Sequence, residues 1–293
     1  MSRMIKRLLS VSIVIVLAVL SSCKNMPNGS SSQGFEGNES SNASSDNSSE
    51  DASVWNEHMP AELVFEDNFD GTTLDLTKWE RCPEWDRQGD LCAWRNSMSD
   101  LDGEGNLRLR AVWDENLSKV LSGAIRSKGK FEYGFGYYEA KIKFPKAEGL
   151  WGAFWMMAGN VHSEKDGAKD GIEIDIVESI GNENGAFNSA LHWDGYEAMH
   201  KSRSSGKLYS HDIYDGEYHT FSLLRTDKAY IFYVDGCEIW RMTSGLIDIC
   251  DENGYMKLTV EAADFVGAGT ASAIAALPAE MLVDYVRVYT NKP

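Results

Sequence analysis

The run Glu173-Ile174-Asp175-Ile176-Val177-Glu178 sets three carboxylates among β-branched apolar residues, where burial opposes charge unless chemistry requires it. Isoleucine and valine favour a strand, and a strand sends alternate side chains to opposite faces, so Glu173 and Asp175 share a face. Glu178 lies five residues from Glu173 and in a regular strand would point the other way. One extra residue near Ile176-Val177, a β-bulge, returns it to the same side. A half-buried strand with a solvated acidic face is the plainer reading of an arbitrary pair of acids. Three acids flanked by Ile172, Ile174 and Ile176, beside the Trp-rich stretch at Trp151 and Trp155, favour a built site.

Outward from this run the pattern repeats as short β-branched and aromatic segments broken by Gly, Asp and Asn, at residues 107–112, 136–144, 151–157, 190–193, 219–224 and 230–234. Asp235-Gly236 reads as a hairpin turn. No long helical period and no internal repeat are present. The expectation is an all-β domain over residues 54–293, a sandwich or jelly roll of two packed antiparallel sheets.

The first 53 residues read differently. Arg3, Lys6 and Arg7 precede an apolar core from Leu8 to Leu20, which is short for a membrane span. Leu20-Ser21-Ser22-Cys23 follows at once and resembles a bacterial lipobox. Residues 1–22 are therefore expected to be a lipoprotein signal, Cys23 the lipidated residue, and 23–53 a Ser/Asn-rich flexible linker. This implies an exported protein held at the cell surface by lipid alone. Of five cysteines, setting Cys23 aside leaves Cys82, Cys92, Cys237 and Cys250, which can pair in three ways. Local pairing, Cys82 with Cys92 and Cys237 with Cys250, suits an oxidising compartment, with buried free thiols as the alternative.

The formal charge is −17, and loss of the basic leader makes the chain more negative still. Such a surface excludes nucleic acid and favours a neutral substrate over a sulfated one, unless a local basic cleft overrides the net figure.

Two carboxyl groups across a sugar linkage are the equipment of glycoside hydrolysis, and a separation of about 5 to 5.5 Å gives retention of configuration. Glu173 would attack the anomeric carbon, and Glu178 would protonate the leaving oxygen and later activate water. Crowding three acids raises the pKa of at least one, placed here on Glu178.

The six-residue run is similar to the signature of glycoside hydrolase family 16, in the variant with an additional residue before the second Glu. Phe69-Asp70-Gly71, the segments 134–145, 149–157, 218–221 and 233–236, and the terminal run 284–289 also resemble that family. The resemblance covers most of residues 62–289. It implies a concanavalin A-like jelly roll with a concave substrate cleft, and an endo-acting, retaining β-glycanase. Carried over, Glu173 is the nucleophile, Asp175 the assisting acid and Glu178 the acid/base. Trp151 and Trp155 are expected on the cleft floor, with His192, Trp193, Arg126 and Trp94 as further sugar contacts. Many members hold a structural calcium, for which Glu66, the Gly105 carbonyl and Asp284 are the candidates; no cofactor for catalysis is implied. A monomer is expected.

Departures bear on the sugar. Gly152 stands where laminarin-cleaving relatives carry Pro, and Thr259 where they carry Asn. Glu261, two residues on, looks more like some galactan-cleaving members. Arg225 stands where the family has a Trp. The leading expectation is a β-1,3- or mixed-linked glucan substrate. A β-galactan of agar or mucin type, or a non-catalytic carbohydrate-binding protein on the same fold, is the alternative.

Overall fold

The computed structural model describes residues 60–87, 91–181 and 185–293, all within the unit Glu50–Pro293. The expected signal, Cys23 and the linker lie outside the described residues. What is described is a two-sheet sandwich, as its alternating strands predicted.

The seven-stranded sheet runs Lys201–Ser204, Phe187–Trp193, Gly171–Ser179, Leu150–Gly159, Gly254–Ala262, Ala124–Arg126, Glu80–Arg81. An eleven-stranded sheet packs against it, with Gly136–Lys143, Ala279–Tyr289 and His219–Arg225 among its members. Strand pairing is antiparallel apart from Cys92–Trp94, which lies parallel to Lys119–Ser122.

Alternation builds the core. Phe154 and Met156 on one strand, Ile172 and Ile174 on the next, and Met256 and Leu258 on the third all turn inward. They meet Tyr138, Ala140, Ile142, Phe221 and Leu223 of the other sheet. Each such apolar side chain removed from water stabilises the fold by about 1.5 to 3 kcal/mol before chain entropy is counted. Gly152 also faces inward, where a Cβ would stand 2.9 Å from Phe144 and 3.2 Å from the Met281 sulfur. Its identity therefore reports interior packing and not sugar recognition. Arg225 is likewise an interior residue. It is fully buried and donates to the carbonyls of Cys250 and Glu252, at 2.8 and 2.6 Å.

The expected disulfides are not formed. Cys82, Cys92 and Cys250 are buried free thiols. Cys82 packs with Trp94 and Ala124, while the Cys92 sulfur lies 3.1 Å from the Ser122 hydroxyl, so each has a local environment of its own. Burial pushes both of these thiols up to about 11. Cys250, being free, does not pair with Cys237.

Candidate active site

The carboxylate strand Gly171–Ser179 lies third in its sheet, between Phe187–Trp193 and Leu150–Gly159. Its register contains the anticipated irregularity. Trp155 faces Asp175 and Phe154 faces Val177, which leaves Ile176 as the surplus residue. On the other side Asp175 faces Ala190 and Glu178 faces Asn188. Ile176 and Val177 both enter the core, and Glu173, Asp175 and Glu178 all open into one cleft of about 950 Å³.

Each acid has a different set of partners. Glu178 accepts from the Trp151 indole N–H at 2.9 Å and from the Asn188 amide at 2.6 Å. Glu173 accepts from the Tyr196 hydroxyl at 2.5 Å. Asp175, 5% exposed, has one carboxylate oxygen with no hydrogen-bond partner; the His192 Nε2 stands 3.4 Å from it. The other His192 nitrogen meets His200 Nε2 at 2.9 Å, with the two rings stacked.

Burial and mutual repulsion shift these groups. Glu178 is raised to about 7, chiefly by burial and then by the Glu173 charge, against the hydrogen bonds from Asn188 and Trp151. Glu173 is raised by burial and held back by the Tyr196 hydrogen bond and the Lys257 charge. Asp175 is raised well above the usual range, by burial and by both glutamates. Burial and His200 push His192 down to about 4, so its contact with Asp175 is not an ion pair at neutral pH. The sequence expected a raised value on at least one acid and placed it on Glu178; all three acids carry one. The site can thus keep a protonated acid beside an ionised nucleophile.

The aromatic and polar walls divide clearly. Trp151, Trp155, Trp94, Arg126, His192 and Glu261 line the cleft, as expected. Trp193 does not. It directly follows His192 on a regular strand, so alternation sends it into the core, where it is 8% exposed. Trp155 donates to Thr259 at 3.1 Å, and the Trp151 ring meets Phe265 edge-on. Glu261 is 2% exposed and held in a two-pronged pair by Arg87, at 3.0 and 3.1 Å. Arg126 is paired to Glu80. Tyr196, Asn188, Arg87, Trp85, His200 and Lys257 also line the walls and were not anticipated. Tyr196 and Asn188 reach the acids only through the fold, and no motif marks them.

Of the three donors expected for calcium, Glu66, Asp284 and the Gly105 carbonyl, the two acids do not fit it. The Asp284 carboxylate accepts from the Lys141 ammonium at 2.7 Å, and Glu66 accepts from Arg287 at 2.9 Å across its register pair. Both acids are already neutralised by cations. Among the described residues, the acidic and histidine side chains whose ligating atoms do converge, within 4.8 Å, are Glu173, Asp175 and His192.

Residues 62–291 match the family model of the beta-porphyranase A-D GH16 domain. The chain is 29% identical over 243 residues to a keratan-sulfate endo-1,4-beta-galactosidase of Sphingobacterium multivorum, covering 78% of this chain and 55% of that protein. It is 25% identical over 278 residues to glucan endo-1,3-beta-glucosidase A1 of Niallia circulans, covering 83% and 40% respectively. It therefore spans about half or less of the length of these relatives. The solved endo-beta-1,3-glucanase of Pyrococcus furiosus superposes with a TM-score of 0.65 at 25% identity, over 78% of this chain and 94% of that one. The match across most of the sequence, on a jelly roll whose bulged strand carries the three acids, establishes that the chain belongs to glycoside hydrolase family 16.

Proposed function

We propose that the domain is an endo-acting, retaining β-glycanase in which Glu173 is the nucleophile and Glu178 the acid/base. The observation that carries this reading is the surplus Ile176, which brings both glutamates to one cleft wall, with Glu178 raised to about 7. Ionised Glu173 forms a bond to the anomeric carbon as the bond to the leaving oxygen breaks, and Glu178 delivers its proton to that oxygen. Glu178, now charged, takes a proton from water. The water oxygen then bonds to the anomeric carbon and releases Glu173. Asp175, between them, is raised by burial and by both glutamates, so it resists adding a further charge to the pair.

For substrate, β-linked galactan chains now stand ahead of the β-1,3- or mixed-linked glucan that the sequence put first. Support comes from the family model, from the Sphingobacterium relative, and from Glu261 fixed in the wall by Arg87. Glucan is the second reading, supported by the Niallia relative and the Pyrococcus structure. A reducing-sugar assay on laminarin, lichenan, agarose, porphyran, keratan sulfate and desialylated mucin, with product sizing, separates them. Early products of mixed length are expected from one galactan. Release from none of these polymers, with binding retained, would replace the enzyme with a carbohydrate-binding protein.

The same reading has the enzyme exported and lipid-anchored through Cys23, supported by Arg3, Lys6, Arg7 and the run ending at Cys23. Labelled fatty acid should enter the wild-type chain and not Cys23→Ala, and the variant should be lost from the membrane fraction.

A further inference from the structure

Lys257 projects from the strand Gly254–Ala262 into the same cleft and is only 6% exposed. Its ammonium lies 3.6 Å from the centre of the Trp155 ring and 5.0 Å from that of Trp94. Among the described residues it has no hydrogen-bond acceptor and no carboxylate within ion-pairing reach. The acids around it are committed elsewhere: both oxygens of Glu261 to Arg87, Glu80 to Arg126, and Glu173 to Tyr196. The buried indole N–H of Trp94 also has no acceptor.

A buried charge without a counter-ion is costly, and the two ring faces offset only part of that cost. The strain shows in Lys257 itself, pushed down to about 8 chiefly by burial. Arg126 is its register partner and Arg87 lies on the same wall, with Lys128 at the rim. In a chain of net charge −17, this flank of the cleft gathers cations and leaves one buried without a partner.

We propose that Lys257, with the Trp94 and Trp155 rings, forms a subsite for an anionic substituent on the sugar chain, a sulfate ester or a carboxylate, and so determines specificity. This rests on the glycanase reading and deepens it. It also reverses the preference for a neutral substrate that net charge alone suggests.

The test compares wild type, Lys257→Met and Lys257→Arg on a sulfated galactan, on the same polymer after chemical desulfation, and on a uronate-bearing galactan. A charge-assisted contact of ~1.5 to 3 kcal/mol corresponds to roughly 10- to 100-fold. Wild type should prefer one anionic polymer by that factor, and which one it prefers tells sulfate from carboxylate. Lys257→Met should lose more on the anionic chain than on the desulfated one, bringing the ratio of the two rates toward one, and Lys257→Arg should recover part of that ratio. Equal losses on charged and neutral chains would overturn the proposal and make Lys257 an electrostatic support for Glu173. So would a wild type indifferent to charge. A binding arm uses Glu178→Gln with and without Lys257→Met, following tryptophan fluorescence as anionic oligosaccharide is added. Binding abolished by Lys257→Met supports the subsite even if no polymer is cut, which would sink the glycanase reading alone. Binding unchanged by it sinks the subsite.

Discussion

The Trp151 indole N–H donates to Glu178 at 2.9 Å from the neighbouring strand, while Asn188 donates to the other oxygen from the strand on the opposite side. Glu178 is therefore gripped by both of its neighbours, each of which favours the carboxylate form, while burial and Glu173 favour the acid.

That balance fixes a pH limb. With Glu178 at about 7, the protonated fraction, and with it kcat/KM, should fall as pH climbs through that value. Removing a donor to the carboxylate raises the value further. Asn188→Ala should move the alkaline fall to higher pH, as should Trp151→Phe. A pH–rate profile in which neither variant moves the limb would show that Glu178 is not the titrating acid.

Loss of either glutamate should stop the reaction without unfolding the chain. Glu173→Gln should leave no measurable hydrolysis, and Glu178→Gln should lose about 10²- to 10⁴-fold. Circular dichroism spectra should match wild type. Substantial turnover in purified Glu173→Gln would remove it as nucleophile.

Asp175 should cost stability once the pH rises above the ordinary carboxyl range. Its folded-state pKa lies above the ordinary value, so the penalty is absent at low pH and grows as pH rises past that ordinary value. Asp175→Asn should melt close to wild type at pH 4 and above it at pH 8, by about 2 to 4 °C per kcal/mol relieved. Calorimetry at the two pH values reads this directly. An equal shift at both would point to packing instead of charge.

Two tryptophans should separate by phenotype. Trp193→Ala opens a cavity in the core and should cost about 3 to 5 kcal/mol of stability. Trp155→Ala should act mainly on KM, since its ring lines the cleft. Denaturant melts and steady-state kinetics on both variants check the assignment, and a reversed pattern would refute it.

The carboxylate face and its bulge were legible because side-chain parity is a strict count: Glu173 and Glu178 differ by five, and only an added residue reconciles them. The same count, applied to His192-Trp193, would have sent Trp193 to the core; the family resemblance obscured it. Tyr196, Asn188 and Lys257 were not legible, because their roles depend on which strands become neighbours. The cysteines misled for a related reason. Spacing along the chain suggested staples, whereas Cys82 and Cys92 found separate burial sites of their own. Asp284 was read as a ligand because its partner Lys141 lies on another strand, invisible in the local sequence.

Ile176 carries a final implication. Without it, the second glutamate would stand four residues from Glu173 and still face the cleft by plain alternation. At the five-residue spacing present here the bulge is what restores that shared face. What it changes is shape, since a bulge bends its strand and tightens the local twist. The local bend of this wall is therefore written into chain length between Asp175 and Glu178. Losing one codon there would straighten the wall while leaving both glutamates on its face, whereas gaining one beside the existing bulge would turn the second glutamate away.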